Sequence, residues 1–465
     1  MKIKIKIFLF LIFVFINTAH GNDKKPKNII LFISDGCGFN HVIATDYYQY
    51  GEKDSQVYEK FPLSRAMSTY PYEGSYDTEK VWKDFNCLKE KYTDSAAAAT
   101  AMSTGVKTYS GAIGEGPDST QLINALEVAE QRGKSTGVIT SVQLSHATPA
   151  GFVAHNDTRS NYQQIAREML RDSKVEVIMG CGHPWYNQDG EKICPDEDQT
   201  NDPQPIEEQE ANELEYKYVG GKELWEQLLQ GDIGTDCDYD GEVEYWILIQ
   251  KKEDFQNLAQ GGTPERVLGI AEVSSTLQYD RTGNEEEPFQ ISFNSNVPSL
   301  AEMTRAGLNV LDNNKNGFFL MVEGGAVDWA SHGNNSARFI EEQIDFNHSV
   351  EAAVEWVENM SSWDETLIIV TADHECGYLN GPGSGGIREK GEPFEKVWKP
   401  LKNKGKGNLP AMQWYSGSHS NSLVPIYAKG AGWEYLEKAA DEDDFRYGRY
   451  LDNAELGEIV KKLLQ

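Results

Sequence analysis

Six short apolar runs rich in β-branched residues, at 28–34, 135–142, 175–179, 317–322, 366–371 and 423–428, constrain this chain more than any other feature. None alternates polar with apolar residues, so each reads as a strand covered on both faces, the environment of a parallel sheet. Helical patterns lie between them at 121–131, 161–171 and 336–358. The alternation predicts an α/β protein, a three-layer sandwich in which helices flank a mostly parallel central sheet. Two segments break the rhythm. Residues 184–262 are polar, with nine acids and no Lys or Arg between 196 and 215, and residues 377–413 are rich in Gly, Pro and Lys. The strand pattern resumes after each, so both read as insertions in a single domain spanning 22–465.

At the N-terminus, Lys2, Lys4 and Lys6 precede ten apolar residues from Ile7 to Ile16, and Ala19 and Gly21 supply the small residues of a cleavage site. This is the pattern of a secretory signal peptide over 1–21. Ten residues fall short of the roughly 20 that span a bilayer. The mature chain is therefore expected to be secreted or periplasmic, without a membrane anchor. The full chain's 43 Lys+Arg against 73 Asp+Glu give a formal net charge of −30. That excess of acid argues against a nucleic-acid-binding role and against adsorption to anionic membranes. Six cysteines in an exported chain permit disulfides. Cys181 and Cys194, flanking a short polar loop, are the expected pair. No Cys-x-x-Cys occurs, so neither a thiolate metal site nor a thioredoxin-like motif is expected.

Parallel sheets bind ligands outside the carboxyl ends of their strands. In this chain the predicted strands lead into Ser34-Asp35-Gly36, then His146-Ala147-Thr148, then Glu323, Asp328 and His332, then Asp373 and His374, while His419 precedes the run at 423. Any one of these alone would read as a surface or capping residue. Jointly, three His with three carboxylates suit zinc, and carboxylates with a hydroxyl suit magnesium. Asp328 and His332 stand at i and i+4, on one face of a helical turn. Ser95 opens an Ala-rich helix former. As plain structure, Asp94 or Ser95 is an N-cap; as chemistry, a Ser there meets amides and a dipole that favour an anion, which suits a nucleophile attacking phosphate.

Other motifs carry less. Residues 312–323 fit a calcium-loop expression, but 318–322 read as a buried strand, so the fit is taken as accidental. Asp236, Asp238 and Asp240 make a partial calcium loop that has Ile247 at its twelfth position. The Gly-rich stretch 381–386 reads as a flexible loop near the site entrance. Asn156, Asn334, Asn347 and Asn359 begin glycosylation sequons that matter only in a glycosylating host. His41, His155, His183 and His348 match no ligand block and read as structural.

Taken together, Asp35-Gly36, Thr93-Asp94-Ser95-Ala96-Ala97, His146-Ala147-Thr148 with Arg159, Met321-Val322-Glu323-Gly324-Gly325 with Asp328 and His332, Thr371-Ala372-Asp373-His374-Glu375 and Ser418-His419-Ser420 closely resemble the alkaline phosphatase family, in order from about residue 28 to 430. The resemblance implies an exported enzyme that hydrolyses small-molecule phosphate monoesters through a phosphoserine, on the family's three-layer fold, with an alkaline pH optimum and commonly as a homodimer. It implies two zinc ions, one on Asp35, Asp373 and His374 and the other on Asp328, His332 and His419, and one magnesium on Asp35, Thr148 and Glu323. Ser95 would be the nucleophile and Arg159 the clamp on two phosphate oxygens, a task its planar fork suits. One zinc would activate Ser95 and the other stabilise the departing oxygen. His146 and Trp329 stand where the best-studied bacterial branch has Asp and Lys. The pair resembles another bacterial group, borders the substrate phosphate, leaves the identity of the ion near His146 open, and implies that Trp329 eases phosphate release. The competing readings are a phosphodiesterase or sulfatase of the same architecture, or a non-catalytic metal- or phosphate-binding protein. A sulfatase should have Pro and Arg after its nucleophile, which Ser95-Ala96-Ala97 lacks. A diesterase has less use for Arg159.

Overall fold

The computed structural model describes residues 25–193, 216–238 and 240–465. The expected signal peptide, Cys194 and the whole acidic run at 196–215 lie outside them, and with Cys194 the expected pairing to Cys181.

The core is an eleven-stranded sheet. From edge to edge its strands are Glu442–Asp444, Gly448–Asp452, Leu63–Ser68, Val424–Gly430, Thr366–Thr371, Asn28–Ser34, Phe318–Gly324, Ser135–Gln143, Val177–Cys181, Val267–Ile270 and Ile247–Ile249. The half from Thr366–Thr371 to Ile247–Ile249 is entirely parallel, whereas Val424–Gly430 pairs antiparallel on both sides. Every residue of Asn28–Ser34, Phe318–Gly324 and Thr366–Thr371 is buried, which is why their sequences show no alternation.

Successive side chains of a strand point to opposite faces, and two adjacent phenylalanines show what covers each. Phe318 packs edge-on against Trp356 of the long helix Ser336–Met360, and Phe319 meets Phe152 of the helix Ala147–Val153 at a tilt. The result is the expected sandwich of three layers. The six expected strands are all present, with ends shifted by no more than two residues. Five further strands of this sheet were not expected, and one of them, Ile247–Ile249, lies inside the polar segment 184–262 and forms the sheet edge.

Candidate active site and metal centre

Because the central strands are parallel, their carboxyl ends meet on one side. Asn28–Ser34 delivers Asp35, Thr366–Thr371 delivers Asp373 and His374, and Ser135–Gln143 leads to His146 and the helix bearing Thr148. Phe318–Gly324 carries Glu323 and runs into the helix Ala326–His332 with Asp328. His419 arrives from a two-stranded ladder, His419–Ser420 against Glu375–Cys376. Gly36 makes the convergence feasible: its φ is +75°, and a Cβ there would lie 2.8 Å from Asp328 Oδ1 and 2.9 Å from Asp328 Cα.

Two groups of ligand-type atoms result, each with all members within 4.8 Å of one another: Asp35, Asp373 and His374, and Asp328, His332, His419 and Cys376. His374 Nε2 lies 3.1 Å from Asp373 Oδ2 and 3.4 Å from Asp35 Oδ1. His332 and His419 each place Nε2 3.5 Å from an oxygen of Asp328, and the two Nε2 atoms are 3.0 Å apart. Nδ1 of His332 meets the Gly417 carbonyl at 2.8 Å, and Nδ1 of His419 meets that of Thr93 at 2.8 Å. Carbonyls only accept, so both Nδ1 atoms carry hydrogen. In neutral rings the Nε2 lone pairs then face each other, an arrangement that needs a proton or a cation between them.

The carboxylates tell the same story. Among the described residues, both oxygens of Asp35, Asp328 Oδ1, Asp373 Oδ2, Glu323 Oε1 and Thr148 Oγ1 are buried without a hydrogen-bond partner. Burial first, then the neighbouring Asp373, Asp328 and Glu323, holds Asp35 well above the usual carboxylate range. Burial likewise pushes Asp373 up to about 6 and Glu323 up to about 7. Asp328 is the exception: burial opposes its ionisation, but His419, His374 and His332 outweigh that and hold it below the usual range. For His419, burial is outweighed by Asp328 and the ring is pushed up to about 9. Buried acids without donors are costly, and divalent cations would relieve that cost. The nitrogen and oxygen donors fit zinc, and the all-oxygen set of Asp35, Thr148 and Glu323 fits magnesium.

Ser95 is the first residue of the helix Ser95–Thr104, with Oγ 3.2 Å from His374 Nε2. All ten residues of that helix are buried. It is squeezed between Ala147–Val153 and the C-terminal helix Asn453–Leu464, where Cβ atoms at Gly151 and Gly457 would strike Ala99 and Ala101, so its Ala-rich sequence reflects close packing. Ser95 opens into a cleft of about 820 Å³ that Arg159, His146, Trp329, Asp328, His332 and His419 also line. Arg159 is the only Lys or Arg in that lining. Burial lowers its affinity for a proton, and Asp94, 3.1 Å away, more than restores it. The Trp329 ring sits edge-on to His146 at 5.6 Å, and burial followed by the Arg159 charge pushes His146 down to about 3.

A family model described as alkaline phosphatase matches residues 26–406. The chain belongs to the alkaline phosphatase family. It is 27% identical to alkaline phosphatase 4 of Bacillus subtilis (strain 168), over 94% of this chain and 89% of that protein. It is 30% identical to the alkaline phosphatase of Escherichia coli (strain K12), over 76% of this chain and 71% of that one. Among solved structures, the cold-active alkaline phosphatase of Shewanella sp. superposes with a TM-score of 0.63 at 23% identity, covering 94% of this chain and 100% of that one, a likeness of fold. The family makes this chain an enzyme, a phosphoric monoester hydrolase. No helix among the described residues is long and apolar enough to cross a membrane.

Every residue that the resemblance assigns to zinc, magnesium, nucleophilic attack or phosphate lies at this one site. Asp94 and Cys376 were not expected there. In the sequence Asp94 has the signature of an N-cap, which does not announce its grip on Arg159, and Cys376 belongs to no close cysteine pair. The acidic turn brings Asp236 and Asp238 to Glu244, whose carboxylate accepts from the Cys237 amide, and Asp240 is outside that group. The segment 318–322 of the calcium-like motif is buried strand. His41, His155 and His183 face Gly38 N, Glu168 and Gln250 within the fold.

Proposed function

We propose that the chain is an exported zinc- and magnesium-dependent alkaline phosphatase that cleaves phosphate monoesters through a phosphoserine on Ser95, after loss of a signal peptide over 1–21. The observation that carries this reading is the position of Ser95: a hydroxyl at a helix N-terminus, 3.2 Å from His374 Nε2, beside two groups of orphaned metal-type donors and one guanidinium. Asp35, Asp373 and His374 would hold one zinc, Asp328, His332 and His419 the other, and Asp35, Thr148 and Glu323 the magnesium. When bound, these ions lower the pKa of a coordinated hydroxyl or water and neutralise charge on oxygen.

Arg159 holds two phosphoryl oxygens in a bidentate grip. Ser95 Oγ attacks phosphorus opposite the ester oxygen, the ester bond breaks, and the alcohol leaves with the bonding pair and a proton. Water then displaces Ser95 from phosphorus, so two inversions give net retention. Positioning and charge neutralisation supply most of the acceleration. Tyr92 and Tyr279 also line the cleft. The purified protein forms the homodimer common in the family, which light scattering measures.

The deciding experiment is hydrolysis of p-nitrophenyl phosphate at alkaline pH by the purified mature protein, before and after EDTA, with both metals added back and Ser95→Ala alongside. Activity should disappear with EDTA, return with zinc and magnesium together, and be absent in Ser95→Ala, while wild type should yield phosphoserine at Ser95 on acid quench. No turnover by the fully metallated wild type overturns the reading.

A further inference from the structure

The assignment of Asp328, His332 and His419 to one metal leaves an adjacent donor unused. Cys376 Sγ lies within 4.8 Å of the ligand atoms of all three. The backbone puts it there, because Cys376 stands directly opposite His419 in the antiparallel ladder of Glu375–Cys376 with His419–Ser420, and cross-strand partners project to the same side. The ladder is pinned from both flanks: Cys376 N donates to Gly36 O at 2.9 Å, and Gly377 N to Ser418 O at 3.0 Å. The residue is wholly buried, so its sulfur faces the ligand group and not solvent. No other cysteine among the described residues belongs to a ligand group.

We propose that Cys376 is a sulfur ligand of this outer metal, so that the site is built from one carboxylate, two imidazoles and one thiolate. The inference rests on the reading of Asp328, His332 and His419 as a metal site. On binding, the S–H bond of Cys376 is exchanged for a sulfur–metal bond and the proton passes to solvent. The charges then balance: Asp328 and the thiolate together offset a dication, whereas Asp328 with two neutral imidazoles leaves one positive charge uncompensated. A thiolate also biases the site toward softer ions such as zinc and cadmium over magnesium or manganese. With four protein ligands present, a substrate oxygen enters this site as a fifth.

The test uses the zinc-loaded, full-length mature enzyme. Zinc X-ray absorption should show a Zn–S distance of about 2.3 Å, the value for thiolate ligation, at a weight of one sulfur shared between two zinc ions. Cobalt-loaded protein should show thiolate-to-cobalt charge-transfer absorption. Both signals should be absent from Cys376→Ser. That variant should also release its outer metal to a chelator faster, by at least the roughly 10- to 100-fold that partners outside the ligand shell are worth. Two zinc ions per chain with only nitrogen and oxygen neighbours overturns the sulfur ligand and leaves the phosphatase reading intact. Fewer than two high-affinity zinc ions per chain overturns the outer site and the sulfur with it. The wild-type spectrum decides the matter even if Cys376→Ser does not fold.

Discussion

Asp94 Oδ2 accepts a hydrogen bond from Arg159 Nη1 at 3.1 Å while its Oδ1 accepts the Ala97 amide at 3.1 Å, so one carboxylate both caps the helix that presents Ser95 and aims the guanidinium opposite it. Both oxygens also accept from Gly111 N. Asp94→Ala should therefore lose a cap worth about 1 kcal/mol of stability and let Arg159 wander. KM and the inhibition constant for phosphate should both rise by about fivefold, the equivalent of an ion pair near 1 kcal/mol, with a smaller effect on kcat. An unchanged phosphate inhibition constant would show that Arg159 is held by something else.

The opposed Nε2 atoms of His332 and His419, and the orphaned oxygens of Asp35, Asp328 and Asp373, predict that the ions stabilise the fold as well as the chemistry. Chelation should lower Tm, and zinc should restore it in a concentration-dependent way. His332→Ala should bind one zinc fewer than wild type while keeping the ion on Asp35, Asp373 and His374, which metal analysis after dialysis would count. A Tm indifferent to EDTA contradicts this.

Gly36 sits where a methyl group would collide with Asp328, in a backbone conformation that L residues rarely adopt. Gly36→Ala should cost on the order of 1–3 kcal/mol from strain at that φ and should displace Asp328. The expected signature is loss of the outer metal at a zinc concentration that still fills the Asp35 group, with activity reduced accordingly. Retention of two tightly bound zinc ions would mean that the turn relaxes without moving Asp328.

Trp329 presents a neutral ring to the cleft, 5.6 Å from His146 and 6.5 Å from Tyr279. Trp329→Lys places an ammonium near the phosphate, so inorganic phosphate should inhibit more strongly and product release should slow. Product-inhibition kinetics read this directly. An unchanged phosphate constant removes Trp329 from the account of release.

The strands at 28–34 and 366–371 were legible to the residue because both faces are covered and the apolar runs are unbroken. Leu63–Ser68 was not, because Ser64 is exposed and Arg65 half-buried beside a strand that pairs antiparallel. Gly448–Asp452 and Glu442–Asp444, toward the sheet edge, have no apolar run, and Glu442, Asp443 and Arg449 are exposed. Val267–Ile270 offers four residues, one of them Gly269, where a Cβ would strike Phe255. The site was more legible than the sheet, since its chemistry sits at strand ends where Asp and His interrupt apolar runs. What needed the fold were pairings across long separations. Asp94 reaches Arg159 over 65 residues, and Cys376 meets the outer ligand group through a two-residue ladder that no periodicity announces.

Stability at alkaline pH should be limited by a carboxyl far from the site. Glu176 is 6% exposed, its Oε2 accepting from Thr136 N at 2.7 Å and Thr136 Oγ1 at 3.1 Å. Burial pushes it from 4.5 up to about 8; the Thr136 amide opposes that rise, and the nearby Glu130 adds to it. A folded-state pKa above the unfolded one means that the folded protein holds the proton more tightly. The stabilisation is thus complete below about pH 4.5 and is lost as pH climbs through about 8, by an amount on the order of a few kcal/mol at about 1.4 kcal/mol per unit. Glu176→Gln keeps an acceptor for Thr136 and cannot ionise. Its Tm should match wild type near pH 5 and exceed it near pH 9, and parallel Tm curves for the two proteins across that range would show that Glu176 does not titrate in the fold.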